Sequence, residues 1–217
     1  MSFNVRKGLI YCLNELNNNG DVDAIMLIGD GKTFFAGADI SEFGKPIQEP
    51  GLNEVIQEFE KSSKPIVAAL HGTPLGGGLE LAMGCHYRVA LNSTMMGLPE
   101  VKLGIIPGAG GTQRLPRLIG VENSLNMITS GNPVDTKKAL SWGLINEVYE
   151  NNLFENAKTF ILGKLTTNSH PIVSNNNGKF IKLKVEYSRG RLEKQNVYFG
   201  TIERVGGRVN TVSYTHL

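Results

Sequence analysis

Two glutamates twenty positions apart, Glu80 and Glu100, are the side chains of this sequence best suited to acid–base chemistry. Glu80 follows the glycine cluster at 76–78, and Glu100 precedes a second cluster at 108–111. Two carboxyl groups that differ in protonation can act together as a general base and a general acid. A glutamate taken alone is more often a solvated surface residue, so the pair has to be judged by the elements around it.

The elements around Glu80 predict a strand, a turn and a helix. The apolar run Pro65–Leu70 is typical of a strand buried on both faces. The good helix formers after the glycines predict a helix that begins near Gly77, with Glu80 in its first turn. The free N–H groups at such a helix start favour negative charge. Three glycines in isolation would otherwise indicate only a flexible turn.

A second tight turn is predicted in the segment FFAGADI, residues 34–40. Gly37 stands where the backbone needs a positive φ, and Asp39 is a suitable N-cap for a short helix through Phe43. The backbone N–H groups around Ala38 are therefore a second set of donors that could point at a ligand.

Other motifs in the sequence do not support a nucleotide or metal site. GDGKT at 29–33 would be a P-loop only with glycine where Met26 stands, so it indicates a plain turn. GAGGTQ at 108–113 has Gln113 in place of the last glycine of a dinucleotide-binding motif. The histidines lack ligand spacing, and His71, beside the glycine turn, is interpreted as a packing residue.

The rest of the chain alternates strands with helices, which indicates an α/β fold. Predicted helices cover 4–18, 53–61, 112–119, 121–129, 136–143 and 151–165; predicted strands cover 23–29, 65–70, 87–91 and 144–148, with an extended piece at 95–98 and a loop at 101–106. The pattern weakens beyond Leu165, where one helical stretch is predicted around 179–195.

Composition favours one intracellular domain. The chain has 217 residues, 41% of them hydrophobic, which is enough for one sizeable core. Its net charge of +2 gives no reason to expect nucleic acid or an anionic membrane as a partner. No apolar run approaches a membrane span or a signal-peptide core. The two cysteines have no metal or redox spacing, which favours a reducing compartment.

Four ordered segments resemble the enoyl-CoA hydratase/isomerase (crotonase) superfamily: FFAGADI, HGTPLGGGLELAMGC, LPEVKLGIIPGAGGTQRLPRLIG and SGNPVDTKKALSWGLINEV. The resemblance covers roughly residues 5–165. The last segment looks most like the hydratase part of bifunctional enoyl-CoA hydratase/3-hydroxyacyl-CoA dehydrogenases. The resemblance implies a ClpP/crotonase-like spiral of ββα units with a helical C-terminal region, assembled as trimers in single-function members.

The resemblance also implies that the chain is a fragment. A crotonase-like core would occupy 1–165, without the strand hairpin that should precede the first helix. The tail at 166–211 does not match the terminal helices of the family. The last six residues, VSYTHL at 212–217, match one reading frame of a transposon end used in sequencing libraries, so we expect them to be a read-through scar of sequencing.

Site residues carry over from the family motifs residue by residue. The backbone N–H groups of Ala38 and Gly77 would hold the thioester oxygen, onto which hydration pushes negative charge. Glu80 would mainly hold and deprotonate water, and Glu100 would protonate Cα, although a coupled pair titrates as a unit. Gly108 resembles a family position whose backbone orders the site. No metal is expected.

The resemblance implies an enoyl-CoA hydratase of fatty-acid β-oxidation that adds water to trans-2-enoyl-CoA. The alternatives are a Δ3-Δ2-enoyl-CoA isomerase, which usually keeps only one acid–base carboxylate, and a non-catalytic module that binds CoA esters. Hydration needs no cofactor, and NAD would enter only with a fused dehydrogenase domain. A homo-oligomer or that fusion is the expected assembly. The expected location is the cytoplasm in a bacterium and the peroxisome or mitochondrion in a eukaryote.

Overall fold

The structure is a computed structural model of the chain and describes residues 1–175 except 43, 47 and 168, together with two short strands at 204–205 and 208–209. The chain divides into two compact units, Met1–Gly178 and Lys179–Leu217. In the second unit, Arg204–Val205 pairs antiparallel with Arg208–Val209. The helix predicted around 179–195 lies outside the described residues.

The first unit contains seven α-helices among its described residues. They are α1 (Phe3–Asn18), α2 (Leu52–Glu60), α3 (Gly77–Gly84), α4 (Gly111–Ile119), α5 (Val121–Ser130), α6 (Thr136–Trp142) and α7 (Leu153–Leu162). Short 3-10 helices lie at Ile40–Glu42, Glu100–Leu103 and Val173–Asn175. Within the described part of the chain, no helix is long and apolar enough to cross a membrane.

The strands of the first unit form two sheets. They are β1 (Ile25–Ile28), β2 (Ile66–Leu70), β3 (Tyr87–Leu91), β4 (Met95–Met96), β5 (Val134–Asp135) and β6 (Glu147–Tyr149). The larger sheet has the order β1-β2-β3-β6 and is parallel throughout. β4 and β5 pair antiparallel in a separate two-stranded sheet. Each crossover between neighbouring parallel strands carries at least one helix, as parallel pairing requires.

The central strand β2 is buried along its whole length, as its apolar sequence predicts. Its Ile66, Ala68 and Leu70 join the main core with residues of α2 and α3. Val67 and Ala69 point to the other face, where α7 covers the sheet with a smaller cluster. Helices therefore cover both faces of β2, which explains why the strand has no polar alternation.

Most predicted elements are confirmed within two or three residues, and the differences have local causes. The strand predicted at 144–148 begins only at Glu147, because Leu144 and Ile145 are buried in the main core after α6. The chain reaches the sheet at Asn146, whose N–H donates to the Arg88 carbonyl at 2.7 Å.

The loop predicted at 101–106 is partly ordered as the 3-10 helix Glu100–Leu103. Gly104 ends this helix in the left-handed region, with φ of 73°. The short helix holds Glu100 at its first position, so the second glutamate is carried by a regular element rather than by a free loop.

Candidate active site

Glu80 lies in the first turn of α3 with its carboxyl group buried and its side chain fixed by backbone donors. The residue is 2% exposed. Its Oε1 accepts hydrogen bonds from the N–H groups of Ala109 at 2.9 Å and Gly111 at 2.7 Å. Ala109 lies in the turn before α4 and Gly111 is the first residue of that helix, so the second glycine cluster serves to hold this carboxyl group.

The environment of Glu80 acts on its charge in two opposing directions. Burial removes the carboxylate from water and raises its pKa. The N–H groups of Gly111 and Ala109, and then the positive charge of Arg114, act against that rise because they favour the ionised form. Burial is the larger effect, so the pKa of Glu80 stays above its ordinary value.

Glu100 is buried nearby but has far fewer partners. It is 8% exposed, and its Oε2 has no hydrogen-bond partner among the described residues. Burial, with the charge of Glu80 as a further cause, raises the pKa of Glu100 to about 7, against the opposing effect of its own backbone N–H. The Glu100 side chain lies close to the backbone of Gly76, where a Cβ would be only 3.2 Å from the Glu100 Oε1.

The two donors predicted for an oxyanion lie side by side. A Cβ built on Gly77 would be 3.5 Å from the nitrogen of Ala38. Among the described residues, neither N–H of this pair donates a hydrogen bond, and Gly77, as the first residue of α3, has no acceptor within the helix. The N–H of Asp39 donates to the Met1 carbonyl at 3.1 Å. Two adjacent free donors are an arrangement that could bind a developing negative oxygen.

Each glycine of the 76–78 cluster meets a different steric requirement. Gly76 has φ of 52° and ψ of −128°, a conformation that other residues rarely adopt. A Cβ on Gly77 would lie 2.7 Å from the Leu52 Cδ2, so this position is closed by the Leu52 side chain. Gly78 packs directly on the preceding loop, where a Cβ would fall 1.8 Å from the Phe35 carbonyl oxygen. The sequence indicated a reason only for Gly77, and the contact of Gly78 brings the two donor segments together.

All five predicted site residues line one cavity of about 1150 Å³. Its polar wall carries the predicted residues Ala38, Gly77, Glu80, Glu100 and Gly108. Apolar side chains line another part, namely Leu52, Leu75, Leu103, Ile105 and Ile106. Of the described residues that line the cavity, none is a histidine, and the described part of the chain holds no cluster of metal-ligating side chains. The arrangement suits an elongated, largely apolar substrate with one polar carbonyl.

Sequence reasoning missed two buried arginines that support this cavity. Arg6 of α1 donates to the Pro50 carbonyl at 2.8 Å and pairs with Glu42 at 2.8 Å, so it fixes one wall. Arg114 of α4 pairs with Glu60 of α2. The two ion pairs join residues 36 and 54 positions apart, so no local pattern could have revealed them.

His71 follows β2, and its buried Nδ1 has no hydrogen-bond partner among the described residues, so its interpretation as a packing residue stays a prediction. Its carbonyl accepts the N–H of Phe34 at 3.0 Å, which ties the strand end of β2 to the loop before Ala38. The GDGKT turn packs at the same corner, with the Thr33 Oγ1 accepting from the N–H of Thr73 at 2.8 Å.

A parallel-sheet α/β fold with two buried carboxyl groups and paired free amides at one cavity is suited to acid–base chemistry beside a developing negative charge, and comparison with known proteins identifies the family. The sequence profile "Enoyl-CoA hydratase/isomerase" matches residues 1–186. The chain therefore belongs to the enoyl-CoA hydratase/isomerase family and has the crotonase fold, a spiral of ββα units followed by a helical region.

Individual relatives agree with this membership. A "Peroxisomal bifunctional enzyme" of Danio rerio is 44% identical over 162 residues, which are 75% of this chain and 23% of that protein. A "Probable enoyl-CoA hydratase" of Bacillus subtilis is 44% identical over 67% of this chain and 59% of its own length. The crystal structure of an enoyl-CoA hydratase from Bacillus anthracis has a TM-score of 0.69 at 34% identity, covering 76% of this chain and 67% of that one. The chain thus spans only part of these relatives.

Proposed function

We propose that this chain carries the site of an enoyl-CoA hydratase, which adds water across the 2,3 double bond of trans-2-enoyl-CoA in fatty-acid β-oxidation. The observation that carries the proposal is the pairing of Glu80 and Glu100. They face one cavity with unequal surroundings, beside two amide donors that have no acceptor in the described part of the chain. Acid–base pairs of this kind arise where the surroundings of two carboxyl groups give them different pKa values, so that one is ionised while the other is protonated.

In the proposed mechanism, the thioester oxygen of the substrate accepts hydrogen bonds from the N–H groups of Ala38 and Gly77. Water is held by Glu80, whose Oε1 is occupied by backbone donors so that Oε2 faces the reaction. Glu80 takes a proton as the water oxygen bonds to Cβ, and the electrons of the double bond move to the thioester oxygen. The enolate then collapses as Glu100, protonated near neutral pH, gives a proton to Cα.

An isomerase is the second candidate, because shifting a double bond from position 3 to position 2 needs only one proton shuttle. The burial of both carboxyl groups favours hydration, since an isomerase would have no use for a second activated glutamate at the water position. A non-catalytic module that binds CoA esters is a third candidate. It gives no reason for Glu100 to keep a buried, unpartnered oxygen.

The proposal extends to the whole protein through its relatives. We infer that the substrate is a CoA thioester, that hydration needs no cofactor, and that NAD would be used only by a fused dehydrogenase domain, as the names of the bifunctional relatives suggest. The peroxisomal relatives make that organelle the proposed location in a eukaryote, and the bacterial relatives make it the cytoplasm in a bacterium.

The direct test is the hydration of crotonyl-CoA by protein expressed from the complete open reading frame. Loss of the enoyl-thioester absorbance measures hydration, and the same protein is given 3-hexenoyl-CoA to measure isomerisation. The proposal predicts that crotonyl-CoA is hydrated faster than 3-hexenoyl-CoA is isomerised. Isomerisation without hydration would establish the second candidate, and binding without either reaction would establish the third.

A further inference from the structure

A buried ion pair lies directly behind Glu80, outside the set of described residues that line the cavity. Arg114 of α4 is 6% exposed and Glu60 is the last residue of α2. The guanidinium donates from Nε to the Glu60 Oε1 at 3.0 Å and from Nη2 to Oε2 at 2.8 Å. This two-point contact fixes the plane of the guanidinium as well as its position.

The third arm of the same guanidinium reaches the turn that holds Glu80. Nη1 of Arg114 donates to the Ala109 carbonyl at 3.0 Å, and the N–H of Ala109 donates to the Glu80 Oε1. The turn closes tightly over the arginine at Gly110, which has φ of 91° and where a Cβ would lie 2.2 Å from Nη1. A continuous chain of contacts therefore runs from Glu60 through Arg114 and Ala109 to Glu80.

We propose that Arg114, anchored by Glu60, is a positioning residue for Glu80. It fixes the Ala109–Gly111 turn so that two N–H groups hold Oε1 and leave Oε2 to face the water. This inference rests on the proposed function for its kinetic effect. Arg114 is not among the described residues that line the cavity, so its role is to orient the base.

Charge gives the arrangement a second effect that can be measured. The groups facing Glu80 are Arg114 from α4 and Glu100 from the 3-10 helix, and Glu60 from α2 offsets part of the arginine charge. Arg114 lowers the pKa of Glu80 by attraction, so its removal allows burial to raise that pKa further. A base with a higher pKa loses its ionised form at a higher pH.

The test compares Arg114→Gln and Arg114→Lys with matched changes at Arg88 in protein from the complete open reading frame. Arg88 is a suitable control because it is also buried and also binds carbonyls, those of Leu144 and Cys85 at 2.8 Å, and Cys85 caps the C-terminal end of α3, whereas Glu80 lies in its first turn. We expect Arg114→Gln to lower kcat about 10- to 100-fold with KM little changed. In the pH profile of kcat/KM, the acidic limb, where the rate falls with falling pH, should shift to higher pH by about one unit.

Arg114→Lys separates the effect of geometry from the effect of charge. Lysine keeps the positive charge but lacks the planar guanidinium that makes the two-point contact with Glu60. It should lower kcat about tenfold while moving the acidic limb less than Arg114→Gln does. The Arg88 variants should lower the melting temperature without moving the limb. The proposal is overturned if folded Arg114→Gln keeps the parental kcat and pH profile, or if the Arg88 variants change the profile equally. If Arg114→Gln does not fold, the kcat of Arg114→Lys decides, and a parental value overturns the proposal.

A readout without turnover keeps this inference separate from the proposed function. The carboxyl carbon of Glu80 can be titrated by NMR in 13C-labelled protein, with Glu80→Gln to assign the signal. Titration of that signal at higher pH in Arg114→Gln than in the parent supports the positioning role even if crotonyl-CoA is not hydrated. An unchanged titration overturns it.

Discussion

Glu80 and Glu100 are the same residue type in the same cavity, yet their surroundings differ in one decisive respect. Glu80 has two backbone donors and a nearby arginine to favour its anion, whereas one oxygen of Glu100 has no donor among the described residues. The anion is therefore more stable on Glu80 and the proton more stable on Glu100. The assignment of base and acid follows from this difference.

Replacing either glutamate with glutamine should remove the proton transfer while keeping the shape of the side chain. We expect Glu80→Gln and Glu100→Gln each to lower kcat about 10²- to 10⁴-fold with KM little changed, because both act in the transition state. Steady-state hydration of crotonyl-CoA measures the effect. Parental kcat in either variant would remove that residue from the mechanism.

The pH profile should report the same assignment. Glu100 must keep its proton to act as the acid, and its pKa is about 7, so kcat/KM should fall as the pH rises through that value. Glu80 must be ionised, so activity should also fall on the acid side. The pKa values of the free protein are obtained from the pH dependence of kcat/KM, measured at low substrate concentration. Glu100→Gln should abolish the basic limb, and a parental limb that persists in this variant would assign it to another group.

The donor at Gly77 can be deleted with proline, which has no N–H and is tolerated at the first position of a helix. We expect Gly77→Pro to lower kcat about 10²- to 10³-fold, the effect of one lost oxyanion donor. Val121→Pro is the matched control, because Val121 also begins a helix after a glycine of positive φ, Gly120, and does not line the cavity. Equal losses in both folded variants would count against a donor at Gly77.

At the scale of elements, α1 contributes to the site through one buried side chain. Arg6 joins the helix to the wall at 42–50, with hydrogen bonds to Glu42, Gln48 and Pro50. A wall made of short turns has little regular structure of its own to hold it. Its order therefore depends on this arginine.

Arg6→Met should loosen the cavity wall while leaving the catalytic groups in place. We expect the free energy of unfolding to fall by about 2 kcal/mol, because hydrogen bonds to a charged group are lost and partly exposed Glu42 is rehydrated. KM for crotonyl-CoA should rise several-fold with a smaller change in kcat. Lys7→Met, one position along the same helix and exposed, is the control. A parental KM in folded Arg6→Met would show that the wall does not depend on the arginine.

Prediction from sequence succeeded where local pattern determines the element. The apolar run of β2 and the glycine start of α3 placed Glu80, and the family motifs carried Ala38 and Gly108 to the same cavity. It was wrong about where β6 begins, because apolar Leu144 serves the core rather than the sheet. The Arg114–Glu60 pair could not be predicted, since it joins residues 54 positions apart.

At the scale of the whole molecule, the described site belongs to the first unit, and residues from Arg6 to Ala109 line its cavity. Binding of a CoA thioester can therefore be measured as stabilisation of this unit. A saturated ester such as butyryl-CoA cannot be hydrated, so it reports binding alone. The carbonyl oxygen is the group expected between the Ala38 and Gly77 donors.

Butyryl-CoA at 100 times its dissociation constant should stabilise the folded protein by about 2.7 kcal/mol and raise its melting temperature by several degrees. The matched ligand is S-butyl-CoA, a thioether that lacks the carbonyl oxygen. It should stabilise less at equal concentration, as measured by differential scanning calorimetry. Equal stabilisation by the two ligands would mean that the paired amides do not hold the carbonyl.

The glycine cluster at 76–78 sets a limit on how far this protein can be stabilised. Glycine loses more backbone freedom on folding than any other residue, by roughly 0.5–1 kcal/mol relative to alanine in regular structure. An engineer would normally remove that cost by substitution. Here a methyl group would strain Gly76, collide with the Leu52 side chain at Gly77 or collide with the Phe35 carbonyl at Gly78. Thermostable variants of this protein should therefore arise from changes elsewhere in the chain, because the three glycines are required by the geometry of the site.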